Sequence, residues 1–76
     1  MPETSRSDRI YLLAMRANMN TLRGDLEAAL PMWEQLRNEQ RLLGGGEAEQ
    51  TTAQNLAEVE HMRGQTQRAI EIVRET

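Results

Sequence analysis

The sequence predicts an all-α protein of four helices, arranged as two helix-turn-helix hairpins. Three observations carry this expectation. Leu, Ala, Glu, Arg, Gln and Met dominate while Val, Ile and aromatic residues are scarce, a balance that favours helix over strand. Apolar residues recur at helical spacing in four stretches, separated by Gly24, by Gly44, Gly45 and Gly46, and by Gly64. Residues 10–36 laid over residues 50–76, a shift of 40, share four identities and five like-for-like apolar pairs and agree in the place of the break.

The first helix takes Ser5, Ser7 or Asp8 as its N-cap. Ile10, Leu13, Ala14 and Ala17 form one apolar stripe, and Leu12, Met15, Met19 and Leu22 form a second, which predicts contacts from more than one side. Gly24 followed by Asp25 reads as a stop and a new N-cap. The second helix has Leu26, Ala29, Leu30, Trp33 and Leu36 on its face and runs to about Leu43. Pro31 then sits in its second turn, where it removes the hydrogen bond to the Glu27 carbonyl at a cost of about 3 kcal/mol and predicts a kink. The opposing reading starts the helix at Pro31, which strands Leu26, Ala29 and Leu30 outside the face they complete.

Three successive glycines end the second helix, because they have the most backbone freedom to lose. The third helix runs from about Glu47 to Met62, with Ala53, Leu56, Ala57, Val59 and Met62 apolar. Gly64 breaks it, and the fourth starts at Thr66 or Gln67 and carries Ala69, Ile70, Ile72 and Val73. The chain therefore reads as one domain over 1–76, with a first repeat at about 8–43, a glycine linker at 44–46 and a second repeat at about 47–76. The shift of 40 pairs Ala17 with Ala57, Arg23 with Arg63, Gly24 with Gly64 and Ala29 with Ala69. It also pairs Met19 with Val59, Leu22 with Met62, Leu30 with Ile70, Met32 with Ile72 and Trp33 with Val73.

Composition narrows function. At 76 residues a fold buries only about 60% of its unfolded surface, so a large catalytic domain is excluded. Zero cysteines remove disulfides, thiolate metal sites and thiol nucleophiles together. Nine basic residues against twelve acidic ones give a net charge of −3, which argues against nucleic acid and against an anionic membrane surface. The whole excess lies in residues 47–76, so any electrostatic preference is for a basic ligand. Apolar runs of two or three residues provide neither a membrane span nor a signal-peptide core, and the chain reads as cytoplasmic.

The candidate chemistry is sparse. Glu58-x-x-His61 has the spacing of di-iron helical bundles, but that site needs two such motifs and two further inward glutamates. The pair reads as solvated or groove-lining. The glycine triplet lacks the Gly-Lys-Ser/Thr and the preceding strand of a phosphate loop, and reads as a hinge or linker. Glu47, Glu49, Glu58 and Glu60 read as a solvated face and Trp33 as core. No catalytic residue, cofactor or metal is assigned.

Ala29-x3-Trp33 and Ala69-x3-Val73, with small residues at Ala17 and Ala57 and turn glycines at Gly24 and Gly64, resemble the tetratricopeptide repeat. The first helices depart from that pattern. Leu56 fits its leucine position but Arg16 does not, and Asn20 and Glu60 stand where it has tyrosine. The 40-residue spacing is similar to the longer-repeat variety of kinesin light chains and bacterial arrays, whose Asn-Leu-Ala signature stands at Asn55-Leu56-Ala57. The resemblance covers about residues 8–76.

That resemblance implies a short right-handed solenoid whose first helices line a concave groove. Such a groove takes an extended peptide or a partner helix, without catalysis. By position its lining would be Tyr11, Ala14, Met15, Asn18 and Thr21 on the first helix, and Thr51, Gln54, Asn55, Glu58 and His61 on the third. Asn55 would clamp the ligand backbone with a donor and an acceptor, whereas its counterpart Met15 lacks that chemistry. Stacked repeats need closed ends, and two repeats leave both ends apolar. The alternative is therefore a homo-oligomerising helical bundle that buries those faces in itself and binds no peptide, with hairpins exchanging between subunits through the glycine linker.

Overall fold

A computed structural model describes residues 6–75. Four helices follow one another, α1 (Arg6–Leu22), α2 (Leu26–Leu42), α3 (Glu47–Met62) and α4 (Thr66–Arg74). Each packs on the next, giving two antiparallel hairpins, α1 with α2 and α3 with α4, joined through an α2–α3 junction. No strand occurs among the described residues. Ser5 lies outside them, and Ser7 and Asp8 fall inside the first turn of α1. α2 begins at Leu26 and runs uninterrupted through Pro31, which overturns the reading that starts it at the proline. Its start is set by Asp25, whose Oδ1 accepts from the Ala28 N–H at 3.3 Å and satisfies one of the orphan donors of the first turn.

Three helices end in the same way because each break offers glycine where the chain must turn left-handed. After α1 the Gly24 N–H donates to the Thr21 carbonyl and the Asp25 N–H to the Asn20 carbonyl, at 3.0 and 2.8 Å. After α3 the Gly64 N–H donates to His61 and the Gln65 N–H to Glu60, at 2.9 and 2.8 Å. Gly44 and Gly45 repeat the pattern on Arg41 and Gln40 at the end of α2. This is the paired-bond Schellman stop, which needs a positive φ after the cap residue, and Gly24, Gly44 and Gly64 provide φ of +78°, +106° and +86°. The elbows of the two hairpins thus superimpose bond for bond at the 40-residue shift. The glycine linker is built just as specifically: Gly46 is the N-cap of α3 at φ 90° and ψ −153°, a region essentially closed to residues with a side chain.

Packing separates two classes of position. Residues facing the partner helix within a hairpin are buried in both repeats: Ala17 and Ala57, Ala29 and Ala69. Small side chains there allow the helix pairs to approach closely. Residues facing the next hairpin are buried only at the α2–α3 junction. Trp33, Val59, Leu56 and Thr52 are buried, but their counterparts Val73, Met19, Arg16 and Leu12 are exposed. The second apolar stripe of α1 is thus open to solvent, with Leu12, Met15, Met19 and Leu22 all exposed. Its expected second contact is absent because α1 packs chiefly on α2 alone.

Candidate interaction surface

The positions expected to line a groove form one stripe repeated on two helices. Tyr11, Met15 and Asn18 on α1 correspond at the 40-residue shift to Thr51, Asn55 and Glu58 on α3, spaced by four and three residues so that they share a helix face. Tyr11, Met15, Asn18, Gln54, Glu58 and His61 are exposed and Asn55 is half-buried. Asn18 Nδ2 donates to the Ala14 carbonyl at 3.0 Å. Thr21 is fully engaged, since its hydroxyl donates to the Ala17 carbonyl at 2.8 Å and accepts the Trp33 indole N–H at 2.9 Å. His61 Nδ1 lies 3.2 Å from Thr66 Oγ1 across the second elbow. The Asn55 amide has no hydrogen-bond partner among the described residues, so both its donor and its acceptor remain available.

The stripe borders no single deep cavity. Gln54 lines a recess of about 140 Å³ with Gln50, Ala53 and Val73. His61 lines another of about 420 Å³ with Thr66, Ala69, Ile70, Val73 and Arg74. The larger recess is an open apolar shelf on α4, at the end of the molecule away from α1. Among the described residues no three His, Cys, Asp or Glu side chains gather as metal ligands. No helix there is long and apolar enough to cross a membrane.

The α2–α3 junction carries the charge clusters, and here the expectation of a uniformly solvated acidic face fails. Glu60 is buried beneath Arg63, whose Nη1 donates to it, while Arg63 Nε donates across the junction to Glu27 Oε1 at 2.9 Å. Those bonds, with Glu27 first and Glu60 second, raise the Arg63 guanidinium above its ordinary range. A raised cationic pKa contributes stability throughout the pH range below its unfolded value and loses it only in strong alkali as pH passes the folded value. Glu49 is also withdrawn from solvent. It accepts from Arg41 Nε at 2.8 Å and lies 3.8 Å from buried Arg37 Nε.

Arg37 reaches Glu75 as well, at 3.6 Å, but its Nε and Nη2 make no hydrogen bond among the described residues. Gly45 is part of the same construction, because a Cβ there would come within 2.5 Å of Glu49 Oε1 at φ +71°. Glu60-x-x-Arg63 was visible in the sequence as an i,i+3 pair. The partners Glu27, Arg37 and Arg41 were not, since they come from another helix. No protein family, curated protein or solved structure matches the chain.

Proposed function

We propose that this chain is a non-enzymatic protein-interaction module of tetratricopeptide type, taking an extended basic peptide or partner helix along the common face of α1 and α3. The observation that carries the reading is the repeated stripe: Tyr11, Met15 and Asn18 are exposed, and in register with them on α3 Asn55 is half-buried and Glu58 exposed. An extended peptide presents one donor and one acceptor per residue, and the free Asn55 amide answers both. Glu58 supplies charge for a basic side chain, and Tyr11 and Met15 supply adaptable apolar contact. The repeated elbows and the small residues at Ala17, Ala29, Ala57 and Ala69 support a stack of like hairpins, in which the first helix of each would line one side.

The test is an array of extended basic peptides of about twelve residues, which reach about 40 Å against a longest dimension of 44 Å. Asn55→Ala and Glu58→Arg should each weaken the bound peptides about five-fold or more with helicity by circular dichroism unchanged. Peptides held equally by both variants, or no peptide held at all, would sink the groove reading.

A further inference from the structure

The chain already contains one complete example of how its hairpins meet, and it exposes both halves of that meeting a second time. At the α2–α3 junction Glu27 of α2 pairs with Arg63, and Leu56 of α3 lies beside Glu34 and Arg37 of α2. At helical spacing from these, Leu30 and Trp33 on α2 and Thr52 and Val59 on α3 are withdrawn from solvent. Forty residues on from Glu27, Leu30 and Trp33 stand Gln67, Ile70 and Val73 of α4, all exposed. Forty residues back from Thr52, Leu56 and Val59 stand Leu12, Arg16 and Met19 of α1, all exposed. Ile70 and Val73 are 43% and 53% exposed, and Leu12 and Met19 are 53% and 56% exposed. The two ends of the molecule are therefore the two sides of an interface whose backbone geometry the chain demonstrates internally.

Register selects which ends meet. The exposed face of α4 corresponds to the α2 side of the junction and the exposed face of α1 to its α3 side, so only the pairing of unlike ends reproduces it. Charge does not make the choice, because α4 carries Arg68 and Arg74 against Glu71. We infer that copies of this chain associate head to tail, α1 of one copy docking on the α4 shelf of the next in the register in which α3 docks on α2. The two surfaces meet at His61, which lines the shelf, and at Met15, which lies on the same stripe as Met19, but self-association is read by solution mass and the groove by peptide binding, so the two readings fail separately.

The same register says that the contact is weak. Val73 replaces the larger Trp33, and Arg16 replaces Leu56, so that only its stem covers apolar surface. Gln67 stands where Glu27 binds Arg63, and Arg23 of the docking copy stands in place of Arg63, so a neutral amide acceptor replaces the carboxylate and the ion pair is lost. A heterologous contact of this kind does not close on itself and extends with concentration.

The experiment is solution mass by light scattering across a wide concentration range, with helicity followed in the same samples. The wild-type chain should grow beyond a dimer as concentration rises. Val73→Glu and Met19→Glu, at exposed positions on opposite ends, should each be helical monomers, and their equimolar mixture should form a one-to-one dimer and nothing larger. Gln67→Glu should tighten wild-type association about three-fold by restoring the charged pair across the copy interface, with the gain lost at high salt. A wild-type chain that stays monomeric overturns the inference. So does undiminished self-association of either single variant, which marks a symmetric contact, or failure of the two to pair. Should either glutamate variant lose helicity, Gln67→Glu decides alone, and unchanged association overturns the proposed register.

Discussion

In the first hairpin Trp33 is 2% exposed and donates its indole N–H to Thr21. In the second, the same backbone position holds Val73, 53% exposed, and the residue matching Thr21 is His61, turned toward Thr66 at the elbow. The elbows themselves match in their backbone hydrogen bonds. What separates the hairpins is what lies next to them: α3 covers α2, and nothing among the described residues covers the matching face of α4. A single chain thus shows that a position in a repeat does not by itself specify burial. Its place in the stack does, because the hydrophobic gain comes from area removed from water by a neighbour.

Trp33→Ala should break the comparison most severely. It removes the largest buried side chain of the junction and costs about 3–5 kcal/mol, comparable with the whole stability a domain this small can hold. Val73→Ala should change stability by less than about 0.5 kcal/mol, and urea unfolding followed by circular dichroism compares the two. Thr21→Val comes next, at about 1–3 kcal/mol, because it leaves the buried indole N–H without its acceptor. His61→Ala, its counterpart, should leave the unfolding midpoint in place.

Gly46→Ala should cost about 1–3 kcal/mol from its backbone conformation. Gly24→Ala and Gly64→Ala should each cost about 1 kcal/mol and match each other, and unequal values would show that the two elbows are not equivalent. Smallest is the cap: Gln65 makes no side-chain cap bond to α4 whereas Asp25 caps α2. Gln65→Asp should therefore gain about 1 kcal/mol and raise the melting temperature, making the second hairpin resemble the first. Arg63→Ala, which strands buried Glu60, should lower the unfolding midpoint, while Arg23→Ala at the matching exposed position should not move it.

Local signals account for much of what was legible. Asp25, Gly24, Gly64 and the glycine triplet mark helix ends by capping and φ preferences that act within a few residues, and the observed boundaries follow them. Pro31 shows where a local rule was outweighed: α2 starts at Leu26 because Asp25 caps it and Ala29 and Leu30 reach the core. That Tyr11, Met15 and Asn18 share one exposed face of α1 was readable from their spacing. Whether a face is covered was not readable, and the second stripe of α1 was misjudged for that reason. The burial of Arg37 and Glu60 and the half-burial of Glu49 were not legible, because the helix that covers each, and the partners Glu27, Arg37 and Arg41, lie elsewhere in the chain at separations no periodicity reports.

The amino-acid sequence by itself determined four helices, their ends, their pairing into hairpins and the 40-residue repeat, since propensity, capping and glycine conformations are properties of short segments. Tertiary structure alone decided which of two equivalent faces became core, which acidic residues were withdrawn from water beside arginines, and which apolar side chains remained at the ends. Those outcomes depend on which helix comes to lie against which, and burial and ion pairing are created only at that contact.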